Sequence, residues 1–269
     1  MSGAAPPRRV RLTLEYDGSG FLGWQRQPSG ERTVQATLEE AFARLPGEHG
    51  SVLAAGRTDA GVHALAMVAH ADTSSAIPDE KLRLALNAHL PRDVAVVRLE
   101  TCAPGFEAQF HCLYRRYLYR LRVMRDDPRG LAVNRDRLLP VFRHLDLPAM
   151  QAATRYLVGR HDFATFATQE TRTTVRTVHL CELREERGEI RLHIAGDGFL
   201  RNMVRTIVGT LLWVGKGKLT PDDMPALLAA RDRTKAGHNV GPQGLYFAEA
   251  GYAPWDPEAS ERAVSDLVV

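Results

Sequence analysis

Along this chain the hydrophobic period switches between two and 3.6 residues, and the switches recur in one order. Residues 9–16 alternate, with Val10, Leu12, Leu14 and Tyr16 on one side and Arg9, Arg11, Thr13 and Glu15 on the other, which is the pattern of a half-buried strand. Asp17-Gly18-Ser19-Gly20 ends it. From Thr33, an N-cap residue, Val34, Leu38, Ala41, Phe42 and Leu45 recur at helical spacing until Pro46-Gly47 stops them. Strands near 51–56 and 64–72, a helix over 78–90 and a strand over 94–101 follow, so the order is β-α-β-β-α-β. The remainder repeats that order. A strand over 114–124 precedes a helix over 148–158 closed by Gly159, then a hairpin of 175–185 and 189–195 turning near Arg187-Gly188. A helix over 199–214 and a strand over 243–252 complete it, while Thr220-Pro221-Asp222-Asp223 opens a further short helix with a cap, an early proline and acids at its positive end. The expected fold is therefore α+β: two similar β-α-β-β-α-β halves, residues 8–103 and 104–252, forming a largely antiparallel sheet with helices packed on one face. Residues 253–269, acidic and containing proline, are expected to be a loosely ordered tail.

Composition excludes several classes. No uninterrupted apolar run approaches the roughly 20 residues that span a bilayer, and the first residues carry no apolar signal core, so a cytoplasmic protein with no membrane partner is expected. Cys102, Cys112 and Cys181 are odd in number and lack metal-ligand spacing, which points away from a disulfide framework and from a zinc site. The formal charge of +3 conceals an acidic end, where Glu249, Asp256, Glu258, Glu261 and Asp266 face one base, Arg262. Of the 35 basic residues only Lys81, Lys216, Lys218 and Lys235 are lysine. That bias suits forked contacts to phosphate and arises equally from coding bias, so charge permits a nucleic-acid partner without naming one.

Three stretches carry candidate chemistry. Gly56-Arg57-Thr58-Asp59-Ala60-Gly61-Val62-His63 sets an arginine and a carboxylate between glycines, which presents them from a tight loop; as a plain turn, Asp59 would cap local N–H groups. In Phe199-Leu200-Arg201-Asn202-Met203-Val204-Arg205, the spacing predicts Arg201 and Arg205 on one stripe of an apolar helix, either at a solvated edge or paired with an acid. In residues 114–124, read as a strand, Arg116, Leu118, Arg120 and Arg122 share one face, and Arg115, Tyr117, Tyr119, Leu121 and Val123 the other. Arginines interleaved with aromatics suit RNA, and tyrosines on an inner face equally suit plain core.

Taken together, the blocks Tyr16-Asp17-Gly18, Gly23-Trp24-Gln25-Arg26-Gln27, Thr33-Val34-Gln35, the Gly56 to His63 stretch, Arg115-Arg116-Tyr117, Gly198 to Arg205 and Gly244-Leu245-Tyr246 resemble the tRNA pseudouridine synthase A family, in order from about residue 9 to 252. The resemblance implies the pseudouridine synthase fold and isomerisation of uridine to pseudouridine in the anticodon stem-loop of tRNA, at positions 38 to 40, by a homodimer without cofactor or metal. It makes Asp59 the catalytic aspartate, with Tyr117 stacking on the target base, Arg205 pairing with Asp59, Arg57 helping to extrude the nucleotide and Leu245 lining the pocket. Base flipping is a physical necessity, since C1′ and C6 of a stacked base are out of reach, and unstacking costs a few kcal/mol. Asp59 could then attack C6, attack C1′ or remove a sugar proton. Residues 106–110 and 236–243 depart from the family's usual runs. Two other functions fit the same residues: a non-catalytic RNA-binding module with Asp59 as a turn residue, and a hydrolase of the N-glycosidic bond with Asp59 activating water.

Overall fold

The structure, a computed structural model, describes residues 7–168, 173–265 and 267. They form two compact units, one made of the chain up to Leu113 together with Phe247 onward, the other of Tyr114–Tyr246.

The first unit follows the expected order: β1 (Arg8–Tyr16), α1 (Val34–Phe42), β2 (Leu53–Ala54), β3 (His63–Thr73), α2 (Asp79–His89) and β4 (Val94–Cys102). Its strands run antiparallel in the order β4-β1-β3, with β2 on β3. Leu12 lies opposite Ala69 on one side and Leu99 on the other, and Val10, Leu12 and Leu14 are completely buried. The alternation read in the sequence is thus the core face of a central strand. Thr33 caps α1 by accepting the Ala36 N–H, and Val34, Leu38, Ala41 and Phe42 bury one helical face. Asp79, in the first turn of α2, accepts the Thr101 N–H, while Asn87 exchanges two hydrogen bonds with the backbone of Val96, so α2 is tied to β4 at both ends.

The polar face of the same sheet is covered as well. The Arg9 guanidinium pairs with Asp72 at 2.8 Å and Glu107 at 2.9 Å, and the Arg11 guanidinium stacks on the rings of Phe106 and Tyr252, 5.4 and 4.6 Å from their centroids. Ala108 donates its N–H to His70 and accepts the Tyr252 hydroxyl through its carbonyl, and Leu113 donates to the Gly251 carbonyl. These bonds assign residues 104–113 to the first unit, ten residues beyond the boundary expected near Pro104. Glu107 is here an ion-pair partner of Arg9.

The second unit contains β5 (Tyr114–Val123), β6 (Leu139–Val141), α3 (Leu147–Thr154), β7 (Gly159–Asp162), β8 (Val175–Glu186), β9 (Glu189–Gly196), α4 (Met203–Gly215) and α5 (Met224–Ala230). It also contains the first two residues of β10 (Leu245–Gly251), whose remainder belongs to the first unit. The strand order is β5-β9-β8-β7, antiparallel, with β6 parallel to β5. Arg187 and Gly188 both take positive φ, 53° and 74°, which makes the two-residue turn whose twist suits the β8-β9 hairpin. The short β6 and β7 were not legible as strands, because three and four residues carry too little periodicity. Where a loose tail is expected, Pro257–Ser265 form α6 with Ser260 and Val264 buried. Among the described residues no helix is long and apolar enough to cross a membrane.

Candidate active site

Gly56 to His63 connects β2 to β3 in the first unit. Trp24 donates its N–H to the Thr58 carbonyl at 3.0 Å, Gly61 donates to Phe21 at 3.2 Å, and Val62 closes the turn on the Asp59 carbonyl at 3.2 Å. Two glycines outside the loop are obligatory: a Cβ on Gly18 would lie 2.0 Å from the Val62 carbonyl oxygen and one on Gly23, at φ +89°, 2.6 Å from that of Thr58. Asp59 is half-buried and Arg57 exposed, so the loop presents both.

Tyr117, Arg205 and Leu245 belong to the second unit. Tyr117 stands half-buried on β5, and its ring meets Phe199 edge to face, with centroids 5.1 Å apart and planes at 80°. In sequence the only sign of this role for Phe199 is an aromatic residue set just before the polar cluster of Arg201 and Asn202. The shared helical stripe expected for Arg201 and Arg205 is not formed, because α4 begins only at Met203. Asn202 takes left-handed angles, φ 62° and ψ 4°, which asparagine tolerates better than most residues. Thr168 holds that turn by donating to the Arg201 carbonyl and accepting from the Asn202 amide. Arg205, in the first turn of α4, donates Nε to the Val240 carbonyl at 2.7 Å and Nη1 to Asn202 Oδ1 at 3.3 Å.

Residues 236–243 act here through their backbone. Val240 supplies a carbonyl to Arg205, and Gly241 supplies one to the Tyr119 hydroxyl at 2.7 Å. Backbone acceptors do not depend on side-chain identity, so these two contacts place no demand on the side chains of Val240 and Gly241. Burial pushes the Tyr119 phenol up, partly offset by the Arg205 charge, so Tyr119 is a neutral donor across the physiological range. Leu245 is buried, immediately after Gly244, where a Cβ would lie 2.5 Å from the Arg120 carbonyl oxygen.

Two of the three arginines on the basic face of β5 are core residues and cannot reach an RNA, while Arg122 is partly exposed. Arg116 is 1% and Arg120 7% exposed. Arg120 forks onto Glu189 at 2.9 and 2.7 Å, Arg191 reaches the same carboxylate at 3.2 Å, and Arg116 bonds His193 at 3.2 Å. The β5-β9 register sets Arg120 opposite Arg191, and Glu189 beside them resolves the like-charge clash. Burial works against the Glu189 charge, but the hydrogen bond and charge of Arg120, aided by Arg191, outweigh it and hold the carboxyl below its usual range. Among the described residues no group of three or more His, Cys, Asp or Glu side chains could hold a metal ion.

A family model described as tRNA pseudouridine synthase matches residues 13–115 and 153–253, and the chain belongs to that family of RNA-modifying isomerases. Its curated relatives narrow the description. A protein of Thermus thermophilus named tRNA pseudouridine synthase A is 48% identical over 249 residues, covering 91% of this chain and 97% of its own. Proteins of the same name from Rhodospirillum centenum and Caldicellulosiruptor bescii are 46% and 41% identical, each covering 91% of this chain and 100% of its own.

Proposed function

We propose that the chain converts uridine to pseudouridine in the anticodon stem-loop of tRNA, at positions 38 to 40, with Asp59 as the catalytic carboxylate. What carries this is the loop itself: a half-buried aspartate held at a backbone turn by Trp24, Phe21 and Val62, beside an exposed arginine. In the reaction the C1′–N1 bond breaks, C1′ joins C5, the C5 hydrogen leaves as a proton and N1 takes one up, so the RNA keeps its mass. Asp59 attacks the flipped nucleoside or takes its proton, with Arg205 in the role of pairing cation that the family resemblance implies. Tyr117 stacks on the extruded base, its ring orientation set by Phe199, and Leu245 lines the pocket. Arg57, exposed on the loop, takes a phosphate and helps hold the nucleotide out of the helix.

The enzyme works in the cytoplasm as a homodimer. Sedimentation equilibrium tests the stoichiometry.

The deciding experiment incubates the chain with tRNA labelled with tritium at C5 of uridine. Tritium release without change of RNA mass is expected. Asp59→Ala and Asp59→Asn should abolish release while tRNA binding stays, since phosphate contacts dominate affinity, and Tyr117→Leu should impair it. Near-normal release by Asp59→Ala removes the proposal; binding with no release by the unaltered chain favours an RNA-binding module, and an abasic product favours a glycosidic hydrolase.

A further inference from the structure

We propose that Tyr16 is a positioning residue for this reaction: through its hydrogen bond to Thr58 it sets the direction in which Asp59 leaves its loop. The proposal rests on Asp59 being the catalytic carboxylate. Tyr16 is the last residue of β1 and 3% exposed, and its hydroxyl lies 2.9 Å from Thr58 Oγ1, itself on a residue 7% exposed. Thr58 is bonded directly to Asp59 in the chain, so a rotation about its backbone swings the carboxylate.

Both handles of Thr58 are held from the same place. Its side chain meets Tyr16, and its carbonyl accepts the N–H of Trp24, whose ring packs 6.3 Å from that of Tyr16. Beyond Asp59 the chain is held again, by the turn onto Val62 and the bond from Gly61 to Phe21. His63 then anchors the end of the loop by accepting the Gly18 N–H at 3.1 Å. Asp59 is consequently flanked by held backbone on both sides, and the Tyr16 bond is the side-chain clamp on Thr58, next to it.

Packing does not require this bond. Phenylalanine fills the volume of a buried tyrosine and valine that of threonine, and replacing both partners of a buried hydrogen bond by apolar groups is often nearly neutral for stability. What the two hydroxyls add is direction, since a bond at 2.9 Å selects one χ1 rotamer of Thr58 and with it one backbone setting ahead of the carboxylate. Displacing a catalytic group by about 1 Å costs on the order of 100-fold in rate.

The test compares Tyr16→Phe, Thr58→Val and the double variant of the full chain in the tritium-release assay. Each single variant should lower kcat by roughly 10- to 100-fold with KM and tRNA affinity unchanged. The double variant should be no slower than the slower single variant, because one bond is lost once. Thr58→Ser, which keeps the hydroxyl, should restore most of kcat. An unchanged kcat in Tyr16→Phe, a loss confined to KM, or losses that multiply in the double variant would each overturn the proposal. Should Tyr16→Phe fail to fold, Thr58→Val against Thr58→Ser decides the same question. Asp59→Ala, run alongside, separates the two levels: turnover by Asp59→Ala removes the catalytic aspartate, whereas a dead Asp59→Ala beside an active Tyr16→Phe removes only the positioning role.

Discussion

Arg205 shows how a single side chain joins sequence logic to chemistry. A guanidinium in the first turn of an apolar helix needs anions or acceptors, and here Val240 and Asn202 take two of its N–H groups and orient its fork. If Arg205 acts in the reaction as proposed, Arg205→Leu should lower kcat by about 100-fold or more, whereas Arg205→Lys, which keeps the charge and loses the fork, should fall between that variant and the unaltered chain. Steady-state tritium release measures both. Equal rates for the lysine and leucine variants would mean that geometry, not charge, is what Arg205 contributes.

At the scale of the element, α4 is shaped by where it starts and by what crosses it. Asn202 in the left-handed region ends the preceding turn and lets the helix begin at Met203. Farther along, Gly209 and Gly237 let loop 236–240 cross the helix backbone: a Cβ on Gly209 would lie 1.9 Å from the His238 carbonyl oxygen, and one on Gly237 would lie 2.3 Å from Gly209 C. Thr210 Oγ1 fastens the crossing by accepting the Gly237 N–H at 2.9 Å. Gly209→Ala should therefore destabilise the chain by about 1–3 kcal/mol, the usual cost of overpacking, even though alanine is the better helix former. It should also lower activity, because the Val240 carbonyl that Arg205 uses belongs to the displaced loop. Urea unfolding gives the first quantity, and an unchanged midpoint would contradict the close crossing.

At the scale of the molecule, the buried ionic network around Glu189 makes stability depend on pH. Its carboxyl is held below the usual range in the folded state, so it contributes stability that is fully present above its unfolded value, near 4.3, and is lost as pH falls through the folded value. Glu189→Gln should flatten the acid side of the stability profile. At neutral pH it should cost about 3–5 kcal/mol, because Arg120 and Arg191 lose the anion they share. Urea midpoints between pH 3 and 7 check both effects. Asp72, Asp79 and Asp162 are also held low, so the slope should shrink rather than vanish.

Local periods and short motifs were enough to recognise β1, α1, α2, the β8-β9 hairpin and the Asp59 loop, because each is specified by residues adjacent in sequence. The Gly-Arg-Thr-Asp-Ala-Gly block and its companions also marked the family, since their residue types and order are unusual together. Tertiary structure alone decided which arginines are buried: on β5 alternation separates two faces, but only the register with β9 supplies the Glu189 that makes Arg120 a core residue. It alone assigned residues 104–113 to the first unit, through side-chain and backbone bonds to residues far along the chain. And it alone joined Tyr16 to Thr58, 42 positions apart, because a hydrogen bond depends on distance in space and leaves no period in the sequence.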